Sequence, residues 1–199
     1  MSASKPRIVP LEPQDFGEEV QGVLGRGDAE RRAPNILRTI AHQPKLLQPF
    51  LGFAAALSLR GRLPRRESEL LALRAAWNCR SAFEWGHHVL YARTAGLDET
   101  EIAAIATQSG ALPASTGSSW TAQDRALLRA ADELHETQNI ADDTWQELSE
   151  QWDSGQLVEI AFVVGNYTML SMLANSTQVP LEPGLPPLPE AIERDATKP

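Results

Sequence analysis

The sequence predicts an all-α fold, a single-domain bundle of about eight helices, on three observations. No segment alternates apolar and polar residues with period two for long enough to make a strand. Apolar residues instead recur three and four apart along most of the 199 residues, of which 42% are hydrophobic. Helix start and stop signals punctuate these stretches: Asp98-Glu99-Thr100-Glu101 reads as a capping box, Thr121 with Asp124 three residues later as an N-cap, and Gly96 as a C-terminal stop.

The elements follow in order. Residues 1–13, with Pro6, Pro10 and Pro13 among polar residues, are expected to lack regular structure. Phe16, Val20, Val23 and Leu24 keep helical spacing from Asp15, and Gly25 and Gly27 turn the chain into a charged loop up to Arg32. Pro34 opens a second short helix, whose end His42 is expected to cap, and Pro44 opens a longer one running to Leu59. After a turn at Gly61-Arg62-Leu63, Pro64 starts a helix that is apolar nearly all round from Leu70 to Trp77, as a central helix or one covered by an oligomer contact would be. The next helix runs from Ser81 to Ala95. Then come a short helix from Asp98 to about Gln108, a small-residue loop from Gly110 to Ser119, and a helix from Thr121 through Leu134. Asp142 or Asp143 is expected to cap the following one, and a last long helix spans about Gly155 to Asn175. The C-terminal segment 177–199, proline-rich from Pro180 on, forms a tail expected to be extended or docked on a neighbour.

The formal net charge of -8 argues against a nucleic-acid partner, and an anionic substrate would need locally placed arginines. Cys79 is the single cysteine, so no internal disulfide is possible, and its expected role is that of a small buried apolar side chain. The first residues lack the apolar core of a secretion signal, and no apolar run is read as long enough to span a bilayer; Leu157 to Leu173, the most hydrophobic stretch, is interrupted by Glu159, Gly165 and Asn166. A cytoplasmic protein with no membrane partner is expected.

The densest chemistry lies in Ser81-Ala82-Phe83-Glu84-Trp85-Gly86-His87-His88. On a helix, Ser81, Glu84 and His88 fall on one face at spacings of three and four, and a carboxylate at i,i+4 from an imidazole can fix its tautomer and favour its protonated form. Phe83 and Trp85 are expected in a core or interface, and His87 as a satisfied structural histidine. The cluster Arg60, Arg62, Arg65 and Arg66 reads as a solvated loop.

Glu69-Leu-Leu-Ala-Leu-Arg74, then Ser81-x-x-Glu84-Trp85-x-x-His88, then Ala95-Gly96-Leu97-x-x-x-Glu101-Ile102 resemble the carboxymuconolactone decarboxylase family, whose fold includes the alkyl hydroperoxidase D proteins. Pro34-Asn-Ile, Trp120-Thr-Ala, Ala131-Asp-Glu-Leu and Gly165-Asn-Tyr resemble its longer members. The resemblance implies a homo-oligomer, whether trimer, hexamer or dimer, and carries the proton-relay glutamate of the family onto Glu69. The peroxidase branch uses two cysteines that align with Ser81 and Glu84. A hydroxyl cannot form a sulfenic acid and a carboxylate cannot resolve one, so dithiol peroxidase activity is not expected.

The resemblance then implies a cofactor-independent lyase of decarboxylase type, expected to act by proton transfer on a small carboxylated, lactone or enolisable substrate, as in the catabolism of aromatic compounds. In this reading His88 donates the proton, Glu84 orients it, Ser81 bonds the substrate carbonyl, Glu69 relays, and Arg74, Arg80 or Arg93 holds the anion. No cofactor and no metal are expected in it. Two alternatives stand beside it. Glu84-x-x-His87 and Asp132-x-x-His135, with Glu69 and Glu159, could form a helical metal site, or the oligomer could bind a small ligand without turning it over.

Overall fold

A computed structural model describes residues 5–25, 33–106 and 120–190. Among the described residues it holds nine α-helices, one turn of 3-10 helix at Pro13–Asp15 and no strand. The helices are α1 (Glu18–Leu24), α2 (Asn35–Ile40), α3 (Pro44–Arg60), α4 (Arg65–Asn78), α5 (Ala82–Thr94), α6 (Glu99–Ile105), α7 (Ala122–Thr137), α8 (Asp142–Ser149) and α9 (Ser154–Thr177). The expected loops at 26–32 and Gly110 to Ser119, and the end of the tail from 191, lie outside the described residues.

α4 is the axis of the bundle. Every residue from Ser68 to Trp77 is buried, because α5, α7 and α9 pack around it and α6 covers one end. An all-round apolar sequence is stable only with such all-round cover. The one cation in that buried run, Arg74, is satisfied in full: it grips Asp132 through two nitrogens and donates Nη1 to the Ile105 carbonyl at 2.6 Å. A guanidinium buried there without these partners would cost several kcal/mol, on the order of 3–5.

The capping signals at Asp98 and Thr121 form as reciprocal capping boxes, and Asp153 makes a third at the start of α9. Others differ by a residue or in kind. Pro64 is the N-cap of α4, with the helix starting at Arg65. The N-cap of α8 is Ala141, whose N–H is taken by Glu133 from α7, so Asp142 and Asp143 occupy the first turn instead. His42 does not cap α2; that place belongs to Ala41, and the His42 ring bonds the Val9 carbonyl at 2.9 Å.

By length and composition α9 is sufficient to cross a bilayer, contrary to the sequence reading, with a mean hydropathy of 1.6 over an 18-residue window. In the fold, Leu157, Glu159, Ile160, Val163 and Val164 lie buried. Glu159 accepts the backbone N–H groups of Arg62 and Leu63, which holds the α3–α4 turn onto α9.

The tail docks on its own chain. Glu182 accepts the Asn35 N–H at 2.7 Å and meets the His87 ring at 2.8 Å, while Asn35 Nδ2 donates to the Pro180 carbonyl. His87 is therefore the structural histidine expected, and it also lies 4.6 Å from the Phe83 ring. Gly86 lets the tail come close: a Cβ there would stand 2.9 Å from the Pro186 carbonyl oxygen and 2.8 Å from Leu181 Cδ1. Gly86→Ala should therefore lift the tail from α5 and cost roughly 1–3 kcal/mol. Urea unfolding and protease cleavage near Pro183 would measure both effects; an unchanged midpoint with no new cleavage would contradict the packing.

Candidate active site

α4 and α5 are joined by a three-residue connection, Cys79–Arg80–Ser81, in which Arg80 takes the left-handed region at φ 52°. The short connection folds α5 back against α4. Glu69 lies ten residues before Cys79 and His88 nine after it, and their side chains join: His88 Nδ1 and Glu69 Oε2 are 2.6 Å apart. The other oxygen of Glu69 is held by Arg65, one helical turn earlier, also at 2.6 Å. Glu69 is 1% exposed, and these two contacts meet both of its buried oxygens.

With Nδ1 engaged by Glu69, Nε2 is the ring nitrogen left to face Glu84. Nε2 lies 3.8 Å from Glu84 Oε2, too far for a hydrogen bond. Glu84 is 3% exposed, and its Oε1 has no hydrogen-bond partner. Burial pushes the Glu84 carboxyl above its ordinary range, with the nearby His88 pulling partly the other way. The result is a carboxylic acid inclined to keep its proton beside an imidazole ring.

Aromatic rings enclose the pair. Tyr167 on α9 lies edge-on to His88 with centroids 4.2 Å apart, and Tyr91 on α5 does so at 5.4 Å. The Tyr167 phenol is pushed up, first by burial and then by the charges of Glu69 and Glu84. Tyr91 and Arg65 are both partly exposed, with the guanidinium 5.8 Å from the Tyr91 ring centre, and they form the outer rim.

The structure thus brings Glu69, Glu84 and His88 together but changes their geometry from that expected. Glu69, rather than Glu84, makes the hydrogen bond to His88. Ser81 is not on the working face: it is the N-cap of α5, fully buried, and its Oγ accepts the Glu84 N–H at 3.3 Å. Ser81 thereby sets where α5 starts and which way Glu84 and His88 point.

None of the three expected anion holders reaches the site. Arg74 is committed to Asp132, Arg93 pairs with Glu99 at the surface, and Arg80 lies 4.2 Å from the Trp77 ring centre. Arg65 does reach it, and the Arg60–Arg66 cluster is not simply a solvated loop, since Arg66 bonds Asp124 and Glu101, and Arg62 bonds Asp153. A helical periodicity from Glu69 back to Arg65 was the available signal, i,i+4 with the opposite charge. Tyr167 was foreshadowed only by the Gly165-Asn-Tyr motif.

The metal constellation is not assembled: Asp132 bonds Arg74 and Asn78, Glu159 holds backbone N–H groups, and His87 turns to Glu182. Among the described residues no group of three or more His, Cys, Asp or Glu side chains is arranged to hold a metal ion. Cys79 is half-buried rather than buried, with Sγ 3.8 Å from His135 Nδ1. Burial pushes its thiol up, the opposite of an activated thiolate.

Residues 44–133 match the model of the carboxymuconolactone decarboxylase family, and they include Glu69, Ser81, Glu84 and His88. No curated protein matches the sequence significantly. Solved structures give the same fold. A peroxidase-related protein from Silicibacter sp. TM1040 superposes with a TM-score of 0.74 at 18% identity, over 92% of this chain and 95% of that one. A second, with an alkylhydroperoxidase AhpD core, from Ralstonia eutropha JMP134, gives 0.73 at 18% identity, over 89% and 93%. A variant of the debrominase Bmp8 in complex with 2,3,4-tribromopyrrole gives 0.70 at 15% identity, over 92% and 95%.

The raised carboxyl of Glu84 has a stability consequence. Its proton is held more tightly folded than unfolded, so its contribution is present below the ordinary carboxylate range and is lost as pH rises through the raised value. Glu84→Gln should remove that loss: melting temperatures of variant and parent should converge at acid pH, with the variant higher near neutrality. A parent that gains on the variant as pH rises would contradict the buried, proton-holding carboxyl.

Proposed function

We propose that this chain, whose residues 44–133 belong to the carboxymuconolactone decarboxylase family, is a cofactor-independent lyase that moves one proton on a small carboxylated, lactone or enolisable substrate. The observation that carries this reading is the Glu84–His88 pair: a buried carboxyl with an unpartnered oxygen, beside an imidazole whose other nitrogen is fixed by Glu69. The two groups are adjacent but unbonded, so either can exchange a proton with a substrate atom that approaches the pair from one side.

In decarboxylation the bond from the carbon to the carboxylate breaks and its electron pair passes into the neighbouring carbonyl or lactone as an enolate. Carbon dioxide leaves. The enolate collapses as the pair delivers its proton to carbon, and solvent then restores the proton to Glu84 and His88. Glu69 fixes the tautomer throughout, and Arg65, at the partly exposed rim, is the cation best positioned to meet an anionic substrate. Ser81 serves as the cap that aims α5. Tyr91 and Tyr167 offer flat walls to a small ring, and a five-membered heterocycle is the ligand of the structurally similar debrominase. Dithiol chemistry is not open to this chain, because Ser81 and Glu84 stand at the thiol positions.

The test is a panel of small lactone acids and β-keto acids, 4-carboxymuconolactone among them, incubated in deuterated water and followed by NMR. Carbon-bound deuterium, with or without loss of carbon dioxide, is the expected signal. His88→Ala and Glu84→Gln should each lower its rate about 10²- to 10⁴-fold, and Arg65→Ala should act mainly on KM. Binding without exchange would favour the ligand-binding alternative. Exchange that survives both substitutions would sink the assignment of the pair.

A further inference from the structure

When a carbon-carbon bond breaks toward a neighbouring carbonyl, a full negative charge appears on one oxygen, and the barrier depends on a hydrogen-bond donor already aimed at it. Ser81, the residue expected to give that bond, is spent as the cap of α5. Arg74 and Arg93 are paired elsewhere, and Arg65 is bonded to Glu69 at the rim. The donor has to come from another side chain on the inner wall, and it has to work beside two carboxyl groups, Glu69 and Glu84.

Tyr167 meets these conditions. α9 packs on both α4 and α5, and from it the Tyr167 ring lies edge-on to His88, with centroids 4.2 Å apart and planes at 72°. The ring rests against two separate core clusters, one around Leu70 and Ile160 and the other around Phe83 and Leu170, so it is held from both sides. Its hydroxyl feels the charges of Glu69, Glu84 and Arg65 together, which sets it among the groups that line the site. Among the described residues that hydroxyl has no hydrogen-bond partner, whereas a phenol enclosed in this way normally finds one. Burial, and then Glu69 and Glu84, push the phenol up, so the O–H persists through the neutral range and can give a hydrogen bond without giving up its proton. Tyr91, the other phenol at His88, is 44% exposed at the rim, where water competes for its hydroxyl.

We infer, on the lyase reading above, that the Tyr167 hydroxyl is the donor that meets the enolate oxygen. As carbon dioxide leaves, the electron pair of the broken bond moves onto the carbonyl or lactone oxygen, and the phenol O–H donates to that oxygen while keeping its proton. When the Glu84 and His88 pair delivers a proton to carbon, the electrons return, the carbonyl re-forms and the bond from Tyr167 weakens to an ordinary one. The carboxylate to be lost then faces outward to Arg65 and the carbonyl inward to Tyr167. Tyr167 is thereby a catalytic residue in its own right as well as a wall of the site.

Tetronic acid, a five-membered lactone that is already an enolate at neutral pH, tests the contact apart from turnover. In NMR titrations the parent should bind the tetronate anion more tightly than its neutral O-methyl ether. Tyr167→Phe keeps the ring and removes only the hydroxyl; it should lose about 10- to 100-fold in affinity for tetronate and much less for the ether, whereas a merely structural role would weaken both alike. With an active substrate in the deuterium assay, the same variant should lower kcat about 10²- to 10³-fold and leave KM within a few-fold. Thermal melting checks that the ring still packs. Tetronate binding that depends on the hydroxyl, with no turnover of any compound, would support the contact and refute the lyase reading. A parent that does not prefer the anion, equal losses of both ligands in Tyr167→Phe, or full kcat in that variant would overturn the contact, and the last of these would leave the lyase reading intact.

Discussion

The Glu69 carboxylate, with one oxygen on Arg65 and the other on His88 Nδ1, is the interaction on which the remainder of the site depends. A carboxylate that is 1% exposed is tolerated only when both oxygens are met by strong donors. Meeting them fixes three things together. The α4–α5 hairpin is locked in register across its turn, the imidazole is held in one tautomer, and a cation is kept at the rim. Glu84 then faces the other ring nitrogen at 3.8 Å with its Oε1 unbonded, and burial pushes its carboxyl above the ordinary range.

The same hairpin explains why substitution at the thiol positions of the fold leaves a chemically coherent site. Ser81 keeps the cap that a helix start needs, so the geometry of α5 survives the exchange. Glu84 brings a carboxyl to a place where burial raises it above its ordinary range. α9 completes the enclosure from the other side through Tyr167, while the C-terminal tail, latched to His87 and Asn35 by Glu182, holds the far face of α5.

Most of the helices were legible in the sequence because their signals are local: periodic apolar positions, capping boxes at Asp98 and Thr121, and a stop at Gly96. Errors came where a cap was supplied from a distance. Ala141 is capped by Glu133 of α7, and His42 answers to Val9, and neither contact has a trace in neighbouring residues. Reading a four-residue spacing on one helix found Glu84 and His88 as neighbours but assigned them a hydrogen bond, because periodicity gives adjacency and not distance.

By itself, then, the sequence determined the helical class, the approximate bounds of each helix, the family motif and the absence of a thiol pair, all of which depend on residue type and short-range spacing. Only the tertiary structure decided that Glu69 and not Glu84 bonds His88, that Arg65 rather than Arg74, Arg80 or Arg93 stands at the site, and that Tyr167 covers it. These facts depend on how α4, α5 and α9 are rotated against one another. That rotation is set by burial of whole helix faces, a property of the packed chain that no single stretch of it contains.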